Sequence, residues 1–307
     1  MTFQLTTPVA FLIFNRPNTT QRVFNTIRQA KPQQLLVVAD GPRTDRSGEA
    51  EKCTETRSII EQIDWDCRVY KNYADINLGC KQRVASGLNW VFEQVEEAII
   101  LEDDCLPDPT FFQFCDELLC RYRNDTRIMA IAGNNIIPNQ YTDSTSYYFS
   151  RYNQIWGWAT WKRAWQHYDI SMKEWPSLRE KSFLKNWFRS SQAVAFWDKK
   201  FQTAYNNQID TWDYAWTFAC WTQHALSIIP NVNLVSNIGF GLDATHTTET
   251  NSSLANCPSK GMKFPLHHPK MIIRNFDADE LIESIMFSLS PLLRFRRKVS
   301  YIFNSQY

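Results

Sequence analysis

The chain has 307 residues, 44% of them hydrophobic and 14% aromatic, so it can bury a substantial core and is not a disordered chain. Its 33 lysines and arginines nearly balance its 32 aspartates and glutamates, and a formal charge of +1 excludes the basic field typical of nucleic-acid-binding proteins. The first residues, MTFQLTT, carry no basic side chain, and the apolar run at residues 9–14 is too short for a signal core or a membrane span. We therefore expect a cytoplasmic protein without a nucleic-acid partner.

The first predicted elements form a β-α-β unit in the segment PVAFLIFNRPNTTQRVFNTIRQAKPQQLLVVADGPR. A short apolar run with the strand-like residues Val9, Phe11 and Ile13 comes first, and a stretch with helical periodicity follows. Residues 35–39 are a continuous apolar run, which is typical of a parallel strand buried on both faces. Such a unit predicts a parallel sheet with helices packed on it.

A further strand and helix precede the apolar run AIILEDD, which predicts another strand. The strand is expected near residues 67–70 and the helix from about 81 to 94. Open α/β sheets bind ligands beyond the carboxyl ends of their strands. Arg16, Asp40 and the acids at 102–104 all follow predicted strands, so we expect a ligand site there.

The second half is rich in tryptophan and shows no internal repeat, which favours a subdomain packed against the sheet. For any single tryptophan a place in the core is favoured over contact with a sugar face. The sequence thus predicts an α/β protein with a Rossmann-like, mostly parallel sheet and flanking helices. We divide it into a nucleotide-sugar-binding half at 1–145, an aromatic-rich acceptor-binding half of the same domain at 146–250, and a C-terminal extension at 251–307.

The C-terminal extension ends in SPLLRFRRKVSYIF, where basic and apolar residues are mixed. A basic amphipathic helix of this kind can lie on an anionic membrane. An ordinary solvated amphipathic end is the favoured alternative. The eight cysteines form no CxxC pair, which argues against structural zinc and for reduced thiols.

The three acids that end the strand AIILEDD are the main chemical signal. Side chains of Asp103 and Asp104 point to opposite faces of an extended chain, so a turn must bring them together, and the prolines that follow indicate one. Neighbouring carboxylates repel each other unless a hard cation shares the site, and Mg²⁺ or Mn²⁺ also accepts substrate phosphate oxygens. The alternative is a solvated acidic turn or a helix N-cap.

The order of these motifs resembles the nucleotide-binding half of GT-A glycosyltransferases, closest to the N-acetylglucosaminyltransferase I type. The later stretches SRYNQIWGWATWKRAW and TWDYAWTFACWTQHALSIIPNVNLVSNIGFGLDATHT resemble the acceptor side of that type, and the resemblance spans about residues 8 to 248. It implies a GT-A fold and a hexosyl- or N-acetylhexosaminyltransferase, with a role in polysaccharide biosynthesis. It also implies a nucleotide-sugar donor, most simply a UDP-sugar, with Mn²⁺ or Mg²⁺ as cofactor and inversion at the anomeric carbon.

The resemblance also implies roles for residues on the donor side. Asp104 would bind the metal that bridges the diphosphate, Asp103 would contact the ribose, and Glu102 would support the pair. Asp40 would read the base, since a carboxylate can accept the imide N–H of uracil. Arg16 would lie near the nucleotide, where a guanidinium pairs with phosphate, the alternative being a surface turn arginine.

Further candidates come from the neighbouring segments. Lys81 and Arg83 follow a predicted helix start and are phosphate candidates, with a solvated helix face as the alternative. An inverting transfer needs a general base, and the family places an aspartate in a Trp-Asp context there, which is Asp213. Helical spacing puts Asp210 on the same face as a second choice, and Asp213 can also be an ordinary N-terminal helix acid. His246 is a candidate metal ligand or diphosphate contact, although a lone histidine is more often structural or exposed.

The family is membrane-anchored and lumenal in eukaryotes, whereas we expect no anchor here. The acceptor is therefore expected to be a glycan or a lipid-linked molecule at the inner face of a bacterial membrane, which the basic C-terminus would contact peripherally. Two other classes stay open: a non-catalytic sugar- or nucleotide-binding module, and a sugar nucleotidyltransferase. The latter is expected to carry a glycine-rich loop after its first strand, and FNRPNTT has no glycine.

Overall fold

The computed structural model describes residues 3–138, 144–239 and 257–286. The strands in this part of the chain are β1 (Val9–Ile13), β2 (Gln34–Ala39), β3 (Arg68–Tyr73), β4 (Glu97–Glu102), β5 (Cys105–Pro107), β6 (Ile128–Ala132), β7 (Tyr147–Ser150), β8 (Trp158–Trp161), β9 (Leu226–Pro230) and β10 (Val235–Asn237). The helices are α1 (Pro17–Ala30), α2 (Glu49–Ser58), α3 (Gly79–Gln94), α4 (Thr110–Tyr122), α5 (Lys162–Trp165), α6 (Trp175–Glu180), α7 (Phe183–Trp187), α8 (Ser191–Tyr205), α9 (Asp213–Thr222) and α10 (Phe276–Met286). The predicted β-α-β unit is β1, α1 and β2, and it is confirmed, as are the strand near residue 68 and the helix through residue 94.

Eight strands form one mixed sheet in the order β3-β2-β1-β4-β8-β6-β9-β7, and β5 pairs with β10 in a separate ribbon. The first four strands of that order are parallel throughout. Beyond them β8 runs antiparallel to β4 and β6, and β7 runs antiparallel to β9. The α/β class with flanking helices is confirmed. The expected halves share this sheet, because β7, β8 and β9 come from the aromatic-rich half.

The central strands are apolar on both faces because each face is covered. Ala10 and Leu12 of β1 belong to one core cluster, together with the apolar face of α3. Val9, Phe11 and Ile13 point to the other side and pack with α1 and α4. This double burial explains why the strands read as continuous apolar runs rather than as alternating ones.

Tryptophans of the second half fill the core beside α3. Trp158 stacks on Trp212 with ring centroids 5.5 Å apart, and Trp216 lies 5.6 Å from Trp158. Fully buried members of this core are Trp158, Trp175, Trp212, Trp216 and Trp221, whereas the buried Trp161 packs on the other face of the sheet. The core assignment is thus confirmed for these side chains, which fix the position of α9 relative to the sheet.

A buried ionic cluster attaches α10 to the edge of the sheet. Asp279 is fully buried and accepts hydrogen bonds from the Ser150 hydroxyl, the Arg151 amide and the Arg274 guanidinium. Arg151 also pairs with Glu283. The predicted basic helix, with Arg294, Arg296, Arg297 and Lys298, lies outside the described residues. Within the described ranges no helix combines the length and apolarity that crossing a membrane requires.

Candidate functional site

A cavity of about 390 Å³ opens at the carboxyl ends of β1, β2 and β4. Its walls come from the segments that follow these strands, the start of α3, the start of α9 and the end of β10. Charged side chains in its wall are Arg16, Asp40, Arg43, Arg83, Glu102, Asp103, Asp104, Asp210 and Asp213. The strand-end location expected from the sequence is therefore where these residues meet.

The turn after β4 holds two aspartates against one arginine. Asp103 and Asp104 occupy a turn between β4 and β5, so they do not continue the strand as an extended pair. The Arg16 guanidinium donates from Nη2 to Asp103 Oδ1 and from Nη1 to Asp104 Oδ2, the latter at 2.9 Å. Asp103 is buried, and its Oδ2 accepts the Phe14 amide at 3.2 Å. This single guanidinium offsets part of the repulsion between two carboxylates.

Arg16 is held in place by the start of α1. Pro17 occupies the first helical turn, where its fixed φ favours the helix. The Arg16 carbonyl accepts the Thr20 amide at 3.0 Å and the Thr20 hydroxyl at 2.7 Å. The backbone of Arg16 is therefore fixed, and a change of hydrogen-bond partner requires movement of its side chain only.

Glu102 is the last residue of β4 and lines the same cavity. Burial, reinforced by the carboxylates of Asp104 and Asp103, raises its pKa to about 8. Burial also raises the pKa of Asp103 above its ordinary value, although Arg16 opposes this shift. At neutral pH Glu102 is mostly protonated, which removes one negative charge from the turn.

Asp40 is engaged by the loop that leads into α3. Its Oδ1 accepts the amides of Gly41 and Leu78, each at 2.9 Å. Its Oδ2 accepts the Asn77 side-chain amide at 3.0 Å and the Gly79 amide at 3.1 Å. These donors use the four lone-pair positions of the carboxylate, so Asp40 anchors the loop, and recognition of a base by Asp40 would require one of these bonds to break.

Lys81 and Arg83 both donate hydrogen bonds to other parts of the protein. Both are buried, with 6% and 7% of their surface exposed, so neither lies on a solvated helix face. The Lys81 ammonium donates to Asn207 Oδ1 at 2.7 Å and to the Ala204 carbonyl at 3.3 Å, outside the cavity wall. Arg83 reaches the cavity wall, but its Nε donates to the Ala39 carbonyl at 3.1 Å. Their charges satisfy backbone and side-chain oxygens that burial would otherwise leave unpaired.

Asp210 and Asp213 line the cavity but have different partners. Asp210 precedes α9, so the expected helical relation between the two acids is wrong. Its Oδ2 accepts the Cys80 amide at 2.9 Å and its Oδ1 accepts the Lys81 amide at 2.8 Å, so it caps α3 from a distant segment. Asp213 is the first residue of α9, and its Oδ1 accepts the hydroxyl of Thr211.

The segment after β10 closes over the turn that holds Asp104. The Ile238 amide donates to the Asp104 carbonyl at 2.8 Å, and the Gly239 amide donates to Asn237 Oδ1 at 2.9 Å. A Cβ on Gly239 would stand 2.1 Å from Asp104 Oδ2, so no larger residue fits here without movement. His246 lies farther along this segment, outside the described residues.

Several residues of the site were not predicted from the sequence. Thr211 and Asn77 contact predicted acids, and Arg43 lies at the wall beside Phe14, paired with buried Glu49. A hydroxyl two residues before Asp213, and an asparagine before the glycine of NLGC, were the available signals. Neither signal identifies the carboxylate that the side chain contacts, because both contacts depend on how the segments after the strands are arranged in the fold.

The donor set of the cavity fits a divalent cation held jointly with a ligand. In the described part of the chain, no group of three or more His, Cys, Asp or Glu side chains is arranged to hold a metal alone. Mg²⁺ and similar ions commonly bind one or two protein carboxylates together with phosphate oxygens of a ligand. Asp104 at the cavity wall can supply such a carboxylate. Six acidic and three arginine side chains among the described residues line the cavity, so an anionic ligand would need added positive charge there. Comparison with protein-family models and with curated proteins found no match for this chain.

Proposed function

We propose that the protein is a metal-dependent glycosyltransferase of GT-A fold. It transfers a sugar from a nucleotide-diphosphate donor, most simply a UDP-sugar, to a glycan or lipid-linked acceptor with inversion at the anomeric carbon. The observation that carries the proposal is one cavity with Arg16 and Asp104 in its strand-end wall and Asp213 at the start of α9. This arrangement suits a reaction that needs a cationic leaving-group site and a separate base.

The donor side would be formed by Arg16 and Asp104. A guanidinium offers paired N–H groups that match phosphate oxygens as well as carboxylates, so Arg16 can bind the diphosphate. Asp104 would hold Mn²⁺ or Mg²⁺ together with phosphate oxygens. When bound, the cation supplies charge stabilisation for the leaving diphosphate.

The acceptor side would be formed around Asp213. In an inverting transfer the acceptor hydroxyl loses its proton as it attacks, and a positioned carboxylate accepts that proton. The Thr211 hydroxyl donates to Asp213 Oδ1 and so orients the carboxylate. Asp210 is less suited to this task, because both of its oxygens accept backbone amides of α3.

A partly exposed tryptophan in the cavity wall favours a sugar as the transferred group. Trp156 lines the cavity and is only partly buried, whereas Trp212 in the same wall is buried and stacked on Trp158. Indole faces pack against the apolar faces of sugar rings and exclude water from the bond that breaks. An acceptor at the inner face of a membrane remains part of the proposal.

A thermal-shift panel of nucleotide sugars, with and without Mn²⁺, tests the proposal. A ligand that binds only the folded state raises the unfolding temperature. We expect a rise with at least one nucleotide-diphosphate sugar that depends on Mn²⁺, and a smaller rise with UDP alone. No rise with any nucleotide, with or without Mn²⁺, would contradict donor binding. A metal-independent rise without turnover would favour a non-catalytic binding module.

A further inference from the structure

We propose that Arg16 makes cation binding at Asp104 conditional on the donor diphosphate. Without nucleotide, the guanidinium occupies the two aspartates and excludes the cation. With nucleotide, the guanidinium moves to the diphosphate and Asp104 becomes a cation ligand. The inference rests on the proposed function and adds a positioning role for Arg16.

The first support is the geometry of the pair. Arg16 donates to both Asp103 and Asp104, and it reaches Asp104 Oδ2 at 2.9 Å. A divalent cation bound to that oxygen would stand within a few ångströms of the guanidinium. Two positive charges at such a separation repel strongly in a partly buried site. The cation and this position of the Arg16 side chain therefore exclude each other.

The second support is the enclosure of the pair by Gly239. A Cβ on Gly239 would lie 2.1 Å from Asp104 Oδ2 and 2.8 Å from Arg16 Nη1, so the backbone covers both partners. The side chains of Arg16 and Asp104 are only 20% and 13% exposed. Limited contact with water strengthens the pair and restricts the room for a cation to bind beside it.

The third support is that only the Arg16 side chain has to move. The start of α1 fixes its backbone through the two hydrogen bonds from Thr20. A diphosphate presents the paired oxygens that the guanidinium now finds in the aspartates. The exchange conserves charge-assisted hydrogen bonds for Arg16 and gives Asp104 to the cation.

Such an exchange couples the two ligands. If nucleotide raises the affinity for Mn²⁺, Mn²⁺ must raise the affinity for nucleotide by the same factor. The protein would thus be protected from binding Mn²⁺ unproductively. Removal of the Arg16 side chain is expected to weaken this coupling.

The experiment measures Mn²⁺ binding by the electron paramagnetic resonance signal of free Mn²⁺, with and without UDP, and matched samples without protein correct for the Mn²⁺ that UDP itself binds. The proteins are wild type, Arg16→Ala, Arg16→Lys and Arg43→Ala, each first checked for a cooperative thermal transition. Arg43→Ala is the matched control, because it removes a cavity arginine that pairs with Glu49 rather than with Asp103 or Asp104. Arg16→Lys keeps the charge but loses the paired donors, and it provides a milder variant if Arg16→Ala folds poorly.

Without UDP, we expect Arg16→Ala to bind Mn²⁺ at least about tenfold more tightly than wild type, with Arg16→Lys between them. UDP should then raise the Mn²⁺ affinity of wild type more than that of Arg16→Ala. Equal Mn²⁺ affinity in wild type and both Arg16 variants, or an equal gain in Arg43→Ala, overturns the inference. Failure of the proposed function gives a different result: UDP would not raise the unfolding temperature of wild type at any Mn²⁺ concentration.

Discussion

At the start of α3 two aspartates accept hydrogen bonds from backbone amides, whereas in the turn after β4 two aspartates pair with a guanidinium. Asp40 and Asp210 belong to the first region, and each holds amides of the segment at 77–81. Asp103 and Asp104 belong to the second region. We infer that Asp40 and Asp210, held by several amides, anchor the fold, while Asp104, whose partner is the long side chain of Arg16, can exchange that partner for a ligand. The partner of an acid therefore indicates its role better than its place in the cavity does.

The largest effect expected from this difference is on donor binding. Asp104→Ala should lower the affinity for UDP in the presence of Mn²⁺ by about a hundredfold or more, since loss of a partly buried charged contact costs several kcal/mol. The fold should persist, because Asp104 contributes no apolar core contact. Isothermal titration calorimetry with and without Mn²⁺ measures the change. Unaltered Mn²⁺-dependent UDP affinity in a folded variant would remove Asp104 from the site.

The next effect separates chemistry from binding. Asp213→Asn keeps the shape of the side chain and removes the base, so kcat for donor turnover should fall by about 10²–10⁴-fold. Donor affinity should stay within a few-fold, because the proton is accepted only in the transition state. Steady-state kinetics measures kcat, and calorimetry on the same preparation measures donor affinity. If Asp210→Asn lost turnover and Asp213→Asn kept it, the base would be Asp210.

A third effect tests the amide-bound region. Asp210→Asn should reduce the free energy of unfolding by about 1–2 kcal/mol, because it removes a charged cap from the N-terminus of α3. Donor affinity in Mn²⁺ should change far less than in Asp104→Ala. Urea denaturation measures the free energy of unfolding. If Asp210→Asn left this free energy unchanged and abolished donor binding, Asp210 would be a ligand-binding residue rather than an anchor of α3.

A fourth and smaller effect follows from the pKa of Glu102. Burial raises this pKa from 4.5 to about 8. Between these two pH values the folded protein keeps the Glu102 proton, whereas the unfolded chain has released it. The contribution of Glu102 to stability is therefore lost as pH rises from about 4.5 to 8. Glu102→Gln should be more stable than wild type by about 1 kcal/mol or more at pH 9, and nearly equal at pH 4, in buffer containing a chelator. Parallel pH dependence of the two unfolding temperatures would show that Glu102 does not titrate this way.

The sequence predicted the strand-end location because apolar runs buried on both faces are visible without a structure. The runs at β1, β2 and β4 end at Arg16, Asp40 and the acids after Leu101, and these residues do meet. The partners of the charged side chains were not predictable, because they lie far apart in sequence. Asp210 binds amides 129 and 130 residues away. Helical periodicity likewise placed Lys81 on a face but gave no sign that its ammonium is buried against α8.

The sheet beyond β4 was the other feature that sequence reasoning did not predict. The aromatic half was expected as a subdomain packed against the sheet, yet β8 inserts antiparallel beside β4. A strand of four residues such as WATW is too short to show a recognisable alternation of apolar and polar residues. Its pairing is set by long-range packing. This insertion brings the tryptophan core, and with it the start of α9, to the side of the cavity.

Release of sugar from a nucleotide-sugar donor by the wild-type protein is the most direct test of the central claim, that this cavity breaks a glycosidic bond to a nucleotide diphosphate. Incubation with UDP-sugars and Mn²⁺, without acceptor, should yield slow formation of free sugar and UDP by transfer to water. The release should require Mn²⁺ and disappear in Asp104→Ala and Asp213→Asn. Conversion that depends on pyrophosphate and yields a sugar phosphate would assign a nucleotidyltransferase instead. No release from any donor that stabilises the protein would contradict a glycosyltransferase.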